Sequence, residues 1–414
     1  MPRLRTRPEC PVVPALSAVL GAALLLGACG GSDDTDGIPV AAVRDSAGIT
    51  VVENPAPPPA SRLPWTVAPA PSVDIGALEG EAAYQLYQAQ DALRLDDGRI
   101  LVANAGGGEI RVFDDGGGHL ATWGRQGEGP GEYMAPTALS LWPGSDSVAV
   151  WDRRSQRLTV LTSDGALGRT VTFPARETMQ SVNFVTALST GDLVVSGLQF
   201  RMESQGLSRL PTTFATVTRD GDFRAELGTF PGAETMIQAS DDRVAITQVP
   251  FGRTTVAAAV GDAMIMAPNE RFELPFRDPA GALRRIVRVG IDPTPLSPEI
   301  WSAEVERRVA NAPEQAQPGL RSSLEGLPER PESLPVFDKI LSDPAGHVWV
   351  RLYRKPADAD VAHRWLVLDA TGQVLGWMET PAALDVYRIG VDYLLGRTRD
   401  DLDVEHVQMW GLER

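Results

Sequence analysis

Residues 91–133 read DALRLDDGRILVANAGGGEIRVFDDGGGHLATWGRQGEGPGEY. A turn at Asp97 and Gly98 leads into an apolar strand over residues 100–103. A second expected strand, Glu109–Phe113, alternates polar and apolar side chains with the period of two that a half-buried strand requires. A turn over residues 114–118 leads to a third, His119–Trp123, and a loop dense in Gly and Pro follows over residues 124–133. Short strands joined by Asp-Gly and Gly-Gly turns form one small antiparallel sheet.

The unit recurs. Residues 138–167 read ALSLWPGSDSVAVWDRRSQRLTVLTSDGAL. Ile100, Leu101 and Val102 fall on Val148, Ala149 and Val150, Asn104 on Asp152, Ile110 on Leu158 and Phe113 on Leu161, each at an offset of 48. Self-similarity at that period indicates a propeller or a solenoid. A third unit is expected over residues 187–227, with a long excursion through Pro211, and a fourth over 242–289, beginning with RVAITQ. A fifth spans residues 340–379 and a sixth ends at Leu412. A lone sheet of three or four strands is marginal and has open edges; radial arrangement buries its faces and shortens those edges. Gly98, Gly116, Gly165, Gly221, Gly346 and Gly372 stand in the turns as positions for positive φ.

Strand candidates at residues 49–52, 65–67 and 73–75 have no sheet of their own, which suits a closed ring whose first strand completes the last blade. Between the fourth and fifth units the texture changes. Ser297, Pro298 and Glu299 form a helix start, and Trp301, Val305 and Val309 give it one apolar face. The segment to Pro335 reads as a helical insertion of one or two short helices.

The chain has 414 residues and 43% hydrophobic content, enough for a sizeable core. A net charge of −16 argues against nucleic acid as a partner. Lys339 and Lys355 are the only lysines, so nearly all positive charge is arginine. Two cysteines, Cys10 and Cys29, offer no disulfide framework.

Residues 1–28 read as a secretory signal: Arg3, Arg5 and Arg7 form a positive start, an apolar run spans 12–26, and Ala28 precedes a cut. Leu26, Gly27, Ala28 and Cys29 resemble the lipobox of bacterial lipoproteins. The resemblance implies that Cys29 is acylated and becomes the first residue, held on a bilayer by its acyl chains. Glycines follow Cys29 in place of the aspartate that some bacteria use for inner-membrane retention. The expectation is therefore a secreted, membrane-anchored protein at the periplasmic face of the outer membrane. Loss of three Arg and one Glu with the signal leaves 35 basic and 53 acidic side chains, a net of −18.

The unit over residues 96–133 also resembles the NHL-type repeat of six-bladed β-propellers. ILVAN stands for the inner-strand text of that family, EIRVF for the middle strand, and the loop GRQGEGPGEY for the link to the next blade. More narrowly the chain looks like the bacterial lipoprotein branch of such propellers. The resemblance implies an all-β fold: a six-bladed β-propeller over residues 73–414 with a small helical insertion at about 293–335, preceded by a tether and N-terminal strands over 29–72. Roughly 340 residues less the insertion leaves about 50 for each of six blades.

Chemistry is sparse. The glycines of residues 124–131 lack the Gly-Lys-Ser/Thr ending of a phosphate loop and read as a connector. Arg125, Glu128 and Glu132 on that loop are the binding candidates. His119, His347, His363 and His406 have no zinc spacing, and no Gly-x-Ser-x-Gly occurs. No catalytic residue, metal or cofactor is assigned. The expected role is non-catalytic binding of an envelope protein, peptide or glycan through the loops of a monomer. The alternative implied by resemblance is a metal-dependent hydrolase or lyase, lactonase-like or amidating-lyase-like, with its site at the ring axis. The helix near residue 298 is open to three readings, a lid over the channel mouth, a decoration of one face or a docking element.

Overall fold

A computed structural model describes residues 38–199, 206–240 and 243–414; Cys29 and the signal lie outside them. Six sheets follow one another along the chain. Blade 1 is Ala89–Arg94, Ile100–Asn104, Glu109–Phe113 and His119–Trp123. Blade 2 is Pro136–Leu141, Val148–Asp152, Arg157–Leu161 and Leu167–Thr172. Blade 3 is Ser181–Ala187, Leu193–Leu198, Gly206–Val217, Phe223–Ser240 and Arg243–Gln248. Blade 4 is Thr255–Val260, Ala263–Pro268, Glu273–Arg277 and Leu283–Val289, and blade 5 is Phe337–Ser342, Val348–Leu352, His363–Leu368 and Val374–Thr380. Blade 6 is Asp385–Ile389, Tyr393–Arg399 and Glu405–Glu413, completed by Thr66–Ile75 from the other end of the chain.

The matched positions of blades 1 and 2 are structurally equivalent, since both middle hairpins carry the same pairings at an offset of 48: Leu101 opposite Val112, and Ala149 opposite Val160. Their second strands, Ile100–Asn104 and Val148–Asp152, are fully buried, as strands sandwiched between neighbouring blades must be. The core is accordingly a series of apolar layers between consecutive blades. Leu101, Ile110, Tyr133 and Val148 fill the layer between blades 1 and 2. Trp349, Trp365, Val386 and Leu394 fill that between blades 5 and 6.

Three expectations change. RVAITQ belongs to blade 3, not blade 4: Arg243–Gln248 pairs with the far half of the long strand Phe223–Ser240. The separate candidates at 65–67 and 73–75 form one strand, Thr66–Ile75, antiparallel to Glu405–Glu413 and interrupted by two register shifts. In the turn after Phe113 the positive φ falls on Gly117 (87°) rather than Gly116. Asp114 dictates this, because its Oδ1 accepts from the N–H groups of both Gly116 and Gly118 and folds the chain around itself.

The N-terminal segment is a belt outside the ring. Ala42–Ser46 and Ile49–Asn54 form a hairpin, and Ile49–Asn54 lies parallel to Leu283–Val289 at the outer edge of blade 4. Asn54 then stitches blade 4 to blade 5: its Nδ2 donates to the carbonyls of Arg288 and Gly372, and its Oδ1 accepts from the N–H of Val374. The chain next passes along blade 5, where Leu63 and Trp377 exchange backbone bonds with Trp377 and Ser61, before entering blade 6.

The helical insertion leaves blade 4. Helix α1 is Pro298–Ala310 and helix α2 is Gln317–Glu325. Ser297 caps α1, its Oγ accepting from the N–H of Ile300 at 3.3 Å. Trp301, Val305 and Val309 are buried as the spacing predicts, against Met236 of blade 3, Phe251 and Tyr353. That packing spans the ends of blades 3 and 5.

Candidate functional site

Every first strand of a blade begins at the same end of the ring. The inter-blade linkers, the insertion and the loop 353–362 lie at that end, which we call the loop face. The axial cavity, about 430 Å³, is lined by all six first strands, chiefly by small and aliphatic residues such as Ala138, Ala257, Ala258 and Ile340. Its charged groups are used internally. Arg388 of blade 6 donates to Asp91 of blade 1 at 2.8 Å and to the carbonyl of Leu139 of blade 2, and Asp91 accepts from the N–H of Leu139. No residue of the two helices lines this cavity.

A second cavity, about 550 Å³, opens on the loop face between blades 5 and 6. Its chemistry comes from strand ends, where a side chain leaves the packed layers but keeps a rigid backbone. Asp338 and Asp385 stand at the starts of the first strands of blades 5 and 6, Arg351 and Arg397 near the ends of the second strands, and His363 at the start of a third. Tyr353, Arg354 and Ala359 come from the loop beyond Leu352, and Ala382 and Ala383 from the linker between the blades.

Most of these charges neutralise one another. Arg351 grips Asp338 with two bonds of 2.7 and 3.1 Å and reaches Asp385 at 3.0 Å, while Lys339 donates to Asp385 at 2.5 Å. Burial alone would raise the Asp385 carboxyl; the Lys339 and Arg351 charges outweigh it and hold the group below the usual carboxylate range. Glu405 is buried, accepts from Arg397 and Arg399, and through its other oxygen holds the N–H of Ala89 at 2.7 Å. The cavity floor is therefore a preorganised ion-pair network.

Two groups are left over. Arg354 makes no ion pair among the described residues; its Nη1 donates to the carbonyls of Val361 and Ala382, tying loop to linker. Burial and the nearby Arg351 make its charged form costlier than usual, and Asp358 and Asp360 act on it only through their field. His363 is 8% exposed, and its Nδ1 has no hydrogen-bond partner. Burial first, then the guanidinium groups of Arg351 and Arg354, pull its pKa down to about 4, so the imidazole is neutral at pH 7. Tyr353 is pushed up to about 12, chiefly by burial.

The residues singled out from sequence sit elsewhere. Arg125 and Glu132 form an ion pair at 2.7 Å on the linker between blades 1 and 2, and Glu132 also accepts from the N–H of Gly129. Glu128 is exposed, and its carbonyl accepts from Arg157. Glu132 thus braces the linker around buried Tyr133, with Gly124 at φ 76° where a Cβ would strike the Tyr133 ring. Of the other histidines, His119 meets Thr122, His347 meets Asp343 and His406 meets Asp74. Among the described residues no group of three or more His, Cys, Asp or Glu is placed to hold a metal ion.

The profile of the DUF5128 family, described as a 6-bladed beta-propeller, matches residues 84–182. The chain is a six-bladed β-propeller. The propeller is similar to the solved structure of a DUF4221-family member from Bacteroides vulgatus, with TM-score 0.51 and 11% identity over 84% of this chain and 99% of that one. It is also similar to a protein described as exported from Bacteroides fragilis, with TM-score 0.48 and 10% identity over 88% and 99%. Virginiamycin B lyase from Staphylococcus aureus follows at TM-score 0.39 and 8% identity over 84% and 99%. At these identities the likeness is one of fold alone. No curated protein matches the propeller.

Proposed function

We propose that this propeller is a secreted lipoprotein of the cell envelope that binds its ligand non-catalytically through the loop face. The observation that carries the reading is the cavity between blades 5 and 6. It is of ligand size, its walls are set by an ion-pair network, and Arg354, which makes no ion pair among the described residues, lines it. The lipobox at Cys29 and the acidic tether behind it support the location, at the periplasmic face of the outer membrane. Arg125, Glu128 and Glu132 remain candidates for a second contact on the linker between blades 1 and 2, at the same loop face.

Fractionation of cells producing the natural chain and Cys29→Ser tests the location. The natural protein is expected in the membrane fraction and the variant in the soluble periplasm. A variant that still sediments with membranes removes the lipid anchor from the reading, and a natural protein found in the cytoplasm removes the envelope.

A further inference from the structure

We infer that the ring hangs from the rim of its loop face. The loop face is thereby turned toward the bilayer that holds the acyl chains of Cys29, and the opposite face, made of hairpin turns, is turned away from it. The inference rests on the lipoprotein reading and adds to it the surface that meets the membrane.

Strand direction fixes where the chain enters the ring. First strands start at the loop face, so the fourth strand of blade 4, Leu283–Val289, ends there. Ile49–Asn54 runs parallel to it with Asn54 opposite Val289, and Ala42 stands opposite Glu53. The strand Ala42–Ser46 therefore starts at the loop face and descends toward the turns. Just ahead of it, Ile38 and Ala41 pack against the apolar layer between blades 4 and 5, which holds the start of the described chain to the ring. Only residues 29–37 stand between that point and the lipid. Those nine residues span at most about 32 Å.

That reach decides between the faces. With the loop face toward the bilayer, the chain leaves the rim directly for the membrane. With the turn face toward it, the same residues must first run back along the height of the ring. Ile49–Asn54 and Leu283–Val289, six and seven residues long, make that height about 20 Å. The detour takes over half of the reach, and a chain drawn near its full length keeps few of its conformations. Charge does not choose, since exposed carboxylates stand on both faces: Asp115, Asp146 and Asp164 in the turns, and Glu128, Glu299 and Asp401 among the loops. The cavity between blades 5 and 6 opens on the loop face and hence toward the membrane.

The test is energy transfer in vesicles carrying the lipidated full-length protein, from a dye on a single introduced cysteine to acceptor lipids in the outer leaflet. Three pairs of exposed positions carry the dye in turn, one on the loop face and one on the turn face of the same blade. They are Arg154→Cys and Asp146→Cys at blade 2, Leu402→Cys and Val391→Cys at blade 6, and Tyr87→Cys and Asp115→Cys at blade 1. Circular dichroism confirms that each variant is folded. The loop-face member of each pair is expected to lie closer to the acceptors, by about 10–20 Å. Insertion of about 20 Gly and Ser residues between Asp36 and Gly37 is expected to abolish the difference, because the longer tether lets either face turn to the membrane. A turn-face label as close as its partner or closer, in a protein that floats with the vesicles, overturns the orientation and leaves the anchor standing. A difference that survives the long tether overturns the tether as its cause. A protein that does not float with the vesicles fails at the anchor, and the orientation falls with it.

Discussion

His363 shows how a propeller makes a residue special without a motif. The unfolded imidazole titrates near pH 6.5, whereas the native one is held down to about 4 by burial, Arg351 and Arg354. Between these values the unfolded chain carries a proton that the native chain refuses. Stability from this group is therefore full above pH 6.5 and is lost as pH falls toward 4, by up to about 3 kcal/mol. Asp343 and Asp385 are held below their usual range, so their contributions are lost only at lower pH, as it falls through the native carboxyl values. The two windows separate. Urea melts of the natural chain and His363→Gln at pH 7 and pH 4.5 are expected to show the variant gaining about 2–3 kcal/mol relative to the natural chain at the lower pH. An equal difference at both values means that the imidazole is not held neutral. None of this was legible in the sequence. His363 is one of four histidines there, and what sets it apart comes from Arg351, Arg354 and the linker at Ala382, which the folding of blade 5 brings together. Arg125, Glu128 and Glu132 stood out instead because glycines framed them, and glycines mark a turn more often than a ligand.

At the scale of elements, legibility follows punctuation. Blades 1, 2 and 5 were readable because a Gly with positive φ closes each outer hairpin: Gly117, Gly165 and Gly372 at 87°, 87° and 91°. Blade 3 was not. Its strand Phe223–Ser240 contains Gly228, Pro231 and Gly232, which read as breakers, yet the pairing with Gly206–Val217 continues through register shifts that set Pro231 opposite Pro211. Of the belt only residues 49–52 were legible as a strand, not Ala42–Ser46 and not the sheet, because its partner Leu283–Val289 lies more than 200 residues away. The belt gives a graded prediction. Deletion of residues 38–65 leaves Thr66–Ile75 to close blade 6 but removes Val51 and Val52, which are 3% and 1% exposed. Their loss alone costs about 3–6 kcal/mol, and the Asn54 bonds between blades 4 and 5 go with them. Thermal melts are expected to show a folded, less stable ring. Deletion through residue 75 also strips Val73 and Ile75 from the layer between blades 6 and 1 and leaves Glu405–Glu413 as an open edge. That chain is expected to aggregate on gel filtration. Equal stability of the two truncations would show that Thr66–Ile75 is not what closes the ring.

For the whole molecule, closure is the expensive step. Thr66 pairs with Glu413 and Ile75 with Val407, so the ring shuts only when segments more than 330 residues apart meet. Asp91 and Arg388, and Ala89 with Glu405, lock the same seam from the axis and from the loop face. Loop-closure entropy grows as (3/2)RT ln n, so exchanging this loop for one of a few residues saves roughly 3–4 kcal/mol in the unfolded chain. A circular permutant realises the exchange. Thr66 and Glu413 are already opposite each other at one end of an antiparallel pair, so a short linker from Arg414 to Thr66 makes an ordinary hairpin. New termini between Ser145 and Asp146 fall in an exposed turn of blade 2. The comparison is with the linear chain lacking residues 38–65, since both lack the belt. If closing the seam limits folding, the permutant is expected to refold faster in stopped-flow dilution from urea, with little change in unfolding rate, because contacts absent from the native state cannot slow its loss. A permutant that refolds no faster, while keeping the same native spectrum, would place the limiting step inside a blade and not at the seam.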